Sequence, residues 1–347
     1  MKTGVKMIDI AQKLGVSVVT VSNALGGRDG VGEEMRKKIC DTADEMGYIP
    51  SNTKNERRKH IIQKLGKNVG ILTAERFIGD RGTFYWELTA NISNNLSKLN
   101  ICTIYECLKN ENENTGSLPN MISENKVDGV IVIGQLHRNY IDVLSRIEIP
   151  LLFVDFYDSR YSVDSVNSDS YNGSYMLTDY LVKMGHKKIG FIGTLNTTSS
   201  INDRYLGYLK CIIENDLEQR RDWLIDDRGG EYSLLYNDID FPSEMPTAFV
   251  CNCDETAFRV ISALRSKGVR VPEDISVVGF DNYTVSNICI PTITTVEVDI
   301  KKMADVSVEI MEKKLLDTDY SEGRRVISGN LIIKNSVLDI RTHNQEE

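Results

Sequence analysis

Seven cysteines and four histidines carry the most reactive side chains of this 347-residue chain, and neither set is spaced for covalent or metal chemistry. The cysteines, at 40, 102, 107, 211, 251, 253 and 289, are odd in number and scattered. That argues against a disulfide framework and suits a reducing compartment. The histidines lie too far apart to build a metal site, and Cys251-x-Cys253 has no second pair nearby, so no metal is expected. No nucleophile–base motif is present, GFIGTLN lacks the pattern of a nucleotide loop, and neither an enzyme nor a cofactor is expected. The residue types favour recognition without bond making. Residues 1–68 hold 13 Lys+Arg against 8 Asp+Glu, a net of +5 in a chain whose total is −9, so the remainder is at −14. A basic head on an acidic body suits a nucleic-acid-binding module joined to another domain. Charge by itself suits a solvated face equally well, so local pattern has to decide.

The elements that would position such a module are legible. Met7, Ile10, Ala11 and Leu14 recur at helical spacing, and Gly15 ends the run as a residue tolerant of positive φ. Ser17 is a natural N-cap for VVTVSNAL. There Val21, Ala24 and Leu25 form one apolar side, leaving Val18, Val19, Ser22 and Asn23 to point elsewhere. Two short helices about a tight turn make a helix-turn-helix, whose second helix enters the major groove. Met35, Ile39, Ala43 and Met46 predict a third helix over 33–46, closed by Gly47 with Pro50 after it.

IDIAQKLGVSVVTVSNALGG followed by VGEEMRKKICDTADEMGYIP resembles the DNA-binding head of the LacI/GalR (lactose-repressor) family of bacterial regulators, over about fifty residues without a gap. The resemblance implies phosphate contacts from Ser17, Thr20 and Ser22 and base reading by Val18, Val19 and Asn23. Phosphate contacts set register, and base contacts specify sequence. Where the family commonly has Arg, this chain has Asn23. Arg pairs with guanine O6/N7 and Asn with adenine N6/N7, while valines pack on thymine methyls, so an A/T-leaning half-site is expected. Lys6 and Gly32 stand where the family tends to have the better caps Thr and Ser.

The linker departs further. The family's hinge helix wedges a leucine into the minor groove. In SNTKNERRKHIIQKLGKN, Arg57 falls at the leucine position, Lys54 and Asn55 replace an Ala-Arg pair, and the segment is about four residues longer, close to one helical turn. Arg57, Arg58, Lys59 and Lys64 either contact phosphates or a narrow minor groove, or belong to a solvated linker. The body that follows alternates short apolar runs (VGILT, ICTIYEC, GVIVIG, PLLFVD, KIGFIG, TAFVC, ISVVGFD) with helical segments near 84–99, 171–184, 202–215 and 254–267. That alternation predicts doubly wound parallel sheets in two lobes, which bind ligands at strand carboxyl ends. KNENENTG (109–116) reads as a loop, and no apolar run approaches the roughly 20 residues of a membrane span.

Body motifs extend the resemblance over nearly the whole chain: Val127-Asp-Gly-Val-Ile-Val, Phe153-Val-Asp155, Met184-Gly-His186-Lys-Lys-Ile-Gly-Phe-Ile-Gly193, Asp203-Arg204-x-x-Gly207-Tyr208, Val271 to Asp281, and Pro291-x-Ile-Thr-Thr295. They imply a periplasmic-binding-protein-like domain that holds a small effector, a sugar or nucleoside, with Asp155, Arg204 and Asp281 facing the cleft. Carboxylates accept from hydroxyls in pairs and Arg donates a planar fork. Cys253 stands where the family usually has Asn, a better hydrogen-bonding group. In the long first loop, Tyr85 aligns with a position that stacks on a ligand ring, and two of Phe84, Tyr85 and Trp86 are expected in the core. Tyr157, Arg160 and Tyr161 are candidate extra lining residues.

The fold expected is therefore an all-α helix-turn-helix head plus an α/β two-lobed periplasmic-binding-protein-like domain. The head spans 1–50, the hinge 51–68 and the body 69–340, with lobe 1 near 69–164 and 297–325 and lobe 2 near 165–293 and 326–340. The function expected is that of a sequence-specific DNA-binding transcriptional regulator, a repressor, controlled by an effector between the lobes. It would act as a homodimer on a near-palindromic double-stranded operator, with no membrane partner. MKTGVKMIDIAQ has no signal-peptide core and reads as a mature cytoplasmic start. The alternative is a ligand-binding or interaction protein whose altered hinge has ended specific operator binding.

Overall fold

The computed structural model describes residues 5–26, 28–46, 48, 66–78, 83–229 and 239–343. The chain divides into two compact units, 1–66 and 67–347. Arg57, Arg58 and the rest of the expected hinge contacts lie outside the described residues.

The head contains α1 (Met7–Leu14), α2 (Val18–Leu25) and α3 (Glu33–Glu45). Ile10, Ala11, Val21, Ala24, Ile39 and Ala43 close on one another as its core, with Met7, Leu14, Leu25 and Met46 packed around them. Gly15 has φ of +66° and ends α1, its N–H bonding Ala11 O. Lys6 supplies no side-chain acceptor, and α1's first turn is closed from the other direction: the Asp9 carboxylate accepts from the Lys6 backbone N–H at 2.7 Å. Met35, expected on the apolar face of α3, is exposed instead. Its neighbour Arg36 turns inward and donates to the carbonyls of Ala24 (3.1 Å) and Arg28 (2.5 Å). Those carbonyls lie at and just beyond the C-terminus of α2, where a cation is favoured.

The body's strands, in chain order, are β1 (Asn68–Ala74), β2 (Cys102–Leu108), β3 (Gly129–Ile133), β4 (Leu151–Val154), β5 (Asp164–Ser168), β6 (Ile189–Ile192), β7 (Leu224–Ile225), β8 (Ala248–Cys251), β9 (Ser276–Val278), β10 (Thr295–Glu297), β11 (Arg324–Ile327) and β12 (Asn330–Ile332). Lobe 1 is a six-stranded parallel sheet in the order β11-β5-β4-β3-β1-β2, and lobe 2 a four-stranded parallel sheet in the order β7-β6-β8-β9. The antiparallel pair β10–β12 joins the lobe 2 sheet through bridges at Val278–Thr294 and Asp281–Glu297. Leu72, Val130, Val132 and Phe153 centre one core; Ile192, Phe249, Val260 and Val277 centre the other. Helices Thr83–Ser97, Ser170–Lys183, Ser199–Glu214 and Asp254–Ser266 match the four expected segments closely.

Two expectations change. The lobe boundaries expected at 164/165 and 325/326 fall inside β5 and β11, which pair with each other in the lobe 1 sheet. The crossings come after Ser168 and after Ile327, because an extended strand runs through each point without a break in pattern. Residues 109–116 are also not a loop: Asn110–Thr115 is helical, capped by Gly116 at φ +74°. Its polar sequence has no helical apolar stripe. The anchor is tertiary, a fully buried Glu113 that accepts from Arg76 Nη1 (2.5 Å) and Nη2 (3.1 Å) and from the His137 backbone N–H (2.6 Å). Removing one member of a buried pair strands the other charge. Glu113→Gln is therefore expected to lower the body's stability by about 3 kcal/mol, seen as a lower urea midpoint; an unchanged midpoint would mean water already serves Arg76.

Candidate functional site

The carboxyl ends of the strands converge where the lobes meet. Asp155 follows β4 and Asp281 follows β9, with φ of +66° and +107°. Positive φ is costly for non-glycine residues and concentrates at functional sites. Arg204 comes from the Ser199–Glu214 helix and Cys253 caps the Asp254–Ser266 helix, while Tyr85 stands in the first turn of Thr83–Ser97. All five line one cavity of about 150 Å³.

Arg204 is its hub. Nη1 donates to the Asn252 carbonyl at 2.6 Å, Nη2 to Asp281 Oδ1 at 3.1 Å and Nε to Ser170 Oγ at 3.3 Å, with the guanidinium 3.8 Å from the centre of the Phe280 ring. Tyr85 Oη donates to Asp155 Oδ2 at 3.0 Å. Each carboxylate keeps one oxygen, Asp155 Oδ1 and Asp281 Oδ2, with no hydrogen-bond donor among the described residues. Burial pushes Asp281 up to about 6 against the pull of Arg204, and the Asp155 charge adds to the rise. Burial also raises Asp155, with Arg204 and the Tyr85 hydroxyl opposing. Asp254, behind the cleft, is lifted to about 8 by burial and by Asp281, while its Oδ2 accepts from the Tyr283 N–H at 2.7 Å. The Cys253 thiol, raised to about 11 by burial, is neutral and among the described residues reaches only Thr256 Oγ1, at 3.3 Å.

Several lining residues were not singled out in the sequence: Arg76, Phe77, Arg228, Asn252 and Tyr283. Arg76 and Phe77 sit in the short helical turn Glu75–Phe77 and the others in loops or beside motif residues, and only the adjacency of Asn252 to Cys253 offered a signal. Of the aromatic triplet, Phe84 and Tyr85 both face the cleft, and Trp86 is exposed and packs on Tyr105 at 5.2 Å, so none is in the core. Tyr157, Arg160 and Tyr161 do not line it. Tyr157 donates to Asp203 across the lobes at 2.9 Å, Arg160 pairs with Asp158, and Tyr161 packs on the lobe 1 core. Cys251 is buried in the lobe 2 core, and no group of three potential metal ligands occurs among the described residues.

On the head, Ser17 Oγ caps α2 by accepting from Thr20 N–H at 3.0 Å, and it also lies 2.8 Å from Thr20 Oγ1. Val18 and Val19 are 42% and 67% exposed, free to meet a groove, while Thr20, Ser22 and Asn23 are half-buried beside them.

The description "Bacterial regulatory proteins, lacI family" matches residues 6–51, and "Periplasmic binding protein-like domain" matches residues 178–337. The chain is 31% identical over 345 residues to the HTH-type transcriptional regulator RegA of Clostridium saccharobutylicum, covering 97% of this chain and 100% of that protein. The chain belongs to the lacI family of bacterial regulatory proteins. Another family relative is the HTH-type transcriptional repressor PurR of Photobacterium profundum, 26% identical, with 96% of this chain and 98% of that one covered. Among solved structures, the lac repressor dimer bound to operator and the anti-inducer ONPF superposes with a TM-score of 0.65 at 21% identity, covering 97% of this chain and 100% of that one. At that identity the lac repressor likeness speaks for a shared fold. Within the described residues, no helix is long and apolar enough to cross a membrane.

Proposed function

We propose that this lacI-family chain is a sequence-specific DNA-binding repressor of transcription, cytoplasmic and homodimeric, whose operator affinity is set by a small effector in the inter-lobe cleft. The observation that carries the reading is the pairing, on one chain, of an exposed Val18–Val19 readout face with a cleft in which Asp155, Arg204 and Asp281 converge. Ser17, Thr20 and Ser22 hold phosphates, Val18, Val19 and Asn23 read an A/T-leaning half-site, and Arg57 and Arg58 add contacts from the hinge. Two heads on a dimer read a near-palindrome; the operator-bound lac repressor dimer of the same fold supports that assembly. The effector is a sugar or nucleoside. Its hydroxyls donate to the free oxygens of Asp155 and Asp281, and Phe84 and Tyr85 flank its ring. Catalysis is not part of this reading.

In-vitro selection of random duplex DNA by the full-length protein tests the first half. Enrichment of an A/T-leaning inverted repeat, bound with a steep loss of affinity as salt rises, is the expected result. A folded dimer that enriches no sequence would favour a ligand-binding protein that has lost specific operator binding. The second half makes a pH prediction. A ligand hydroxyl needs the ionised Asp281, so below about 6 binding must first remove a proton. Effector affinity should hold steady above that pH and weaken roughly tenfold per pH unit beneath it. Calorimetric titrations between pH 5 and 8 check this, and a flat profile would remove Asp281 from the contact set.

A further inference from the structure

Most charged groups in and around the cleft are already committed to one another. Arg76 is held by Glu113, Arg204 by Asp281 and Asn252, and Glu255 by Arg259 Nη2 at 2.9 Å. Arg228 differs. It lines the cavity, and its electrostatic influence reaches both Asp281 and Cys253. Among the described residues, its Nε is buried without a hydrogen-bond partner and neither Nη nitrogen donates to any group. Asp227 Oδ1 lies 3.5 Å from Nε, an ion pair without a hydrogen bond, and the Asp227 oxygens take their hydrogen bonds elsewhere. Asp227 Oδ1 accepts from the Thr194 N–H at 2.9 Å, and Oδ2 accepts from Asn252 Nδ2 and Thr256 Oγ1, both at 2.7 Å. The two nitrogens best suited to a bidentate acceptor are thus left for something that enters the cleft.

We propose that the effector is a sugar acid, a polyhydroxylated carboxylate whose carboxyl group is held by Arg228 while its hydroxyls donate to Asp155 and Asp281. The proposal rests on the effector-cleft reading above and narrows its ligand class. A planar guanidinium matches a carboxylate with two parallel hydrogen bonds. The polarity of the cleft is also divided. Asp155 of lobe 1 and Asp281 of lobe 2 accept hydrogen bonds, whereas Arg228, also of lobe 2, only donates them. A ligand that meets all three then needs donors for the two carboxylates and a planar acceptor for Arg228, which a uronate or aldonate supplies and a neutral hexose does not. The open Nη nitrogens of one guanidinium match the two oxygens of a single carboxylate. A phosphate dianion would leave charge uncompensated beside Asp155, Asp281 and Glu255. A nucleoside offers no anion at all.

The test titrates the full-length protein with D-galacturonate, D-glucuronate and D-gluconate beside galactose, glucose, glucose 6-phosphate and adenosine. At least one acid should bind about 100-fold more tightly than its neutral parent, on the scale of a desolvated charge pair. In Arg228→Gln that acid-to-neutral ratio should collapse toward one, and in Arg228→Lys, which keeps the charge without the fork, it should fall part-way. Thermal unfolding of each variant verifies that the body is folded. The proposal is overturned if a neutral sugar, adenosine or the phosphate ester binds as tightly as every acid, if no acid binds, or if Arg228→Gln leaves the ratio intact. Failure of the wider reading looks different: ligands bind, yet Asp155→Asn alters none of them and none changes operator affinity.

Discussion

Arg204→Met is expected to abolish effector binding, by at least about 100-fold, and to destabilise the body by about 3 kcal/mol. The guanidinium is almost wholly buried and each of its three nitrogens has a different partner, on Asn252, Asp281 and Ser170. Methionine fills much of the volume over Phe280 but donates nothing. The Asn252 carbonyl and the Asp281 carboxylate then lose their charged donor in a site poorly reached by water, and a stranded buried charge costs more than the pair contributed. Because Arg204 holds the Asp281 pKa down, its loss should also carry that value above 6, so any residual binding would weaken from a higher pH than in the parent. Urea unfolding and effector titration across pH 5–8 measure both effects. Arg204→Lys is the control for folding: it retains the charge, should recover much of the stability, and should still bind poorly, because one ammonium cannot span three acceptors. Binding by Arg204→Met within tenfold of the parent would show that the hub is structural and that the ligand rests on other groups.

The head and the alternating body were legible because their signals are local. Ile10, Ala11, Val21 and Ala24 meet at helical spacing, and the short apolar runs of a parallel sheet stand apart between helices. Asp155, Arg204 and Asp281 were legible because each sits inside a motif at a strand end or helix start. What stayed hidden depends on distant partners. The helix at Asn110–Thr115 has no apolar face of its own and exists around the Glu113–Arg76 pair, 37 residues apart. Met35 left the expected face because the open carbonyls of α2 draw Arg36 inward, a demand set by another helix. Arg228 lies in no motif, and its significance appears only when Asp227 is seen to be occupied by Thr194, Asn252 and Thr256. The crossings after Ser168 and Ile327 were displaced for the opposite reason: a strand's pattern is local, but which sheet it joins is not.

Asn23→Arg is expected to change which base pair the operator carries at one symmetric position. Asn23 lies in the last turn of α2, turned away from the buried Val21 and Ala24, with its own carbonyl already serving Arg28 N–H at 2.9 Å. Only its side chain is available to DNA. A carboxamide pairs bidentately with adenine N6/N7, a guanidinium with guanine O6/N7, and each such match is worth about 1–3 kcal/mol of discrimination, or roughly 5–150-fold per half-site. In a dimer the two half-sites contribute together, so the exchange should invert the preference from A·T to G·C at both positions by the square of the single-site factor, up to about 10⁴-fold. The flanking steps met by Val18 and Val19 should keep their thymines, because those side chains and the Ser17–Thr20 cap that aims them are untouched. Repeating the in-vitro selection with the variant reads all positions at once. Asn23→Ala separates gain from loss: it should flatten the preference at that position and leave the salt dependence set by the phosphate contacts unchanged. If Asn23→Arg still enriches the parent sequence, the half-site is read by Val18 and Val19 or through DNA shape, and Asn23 serves only to complete the helix.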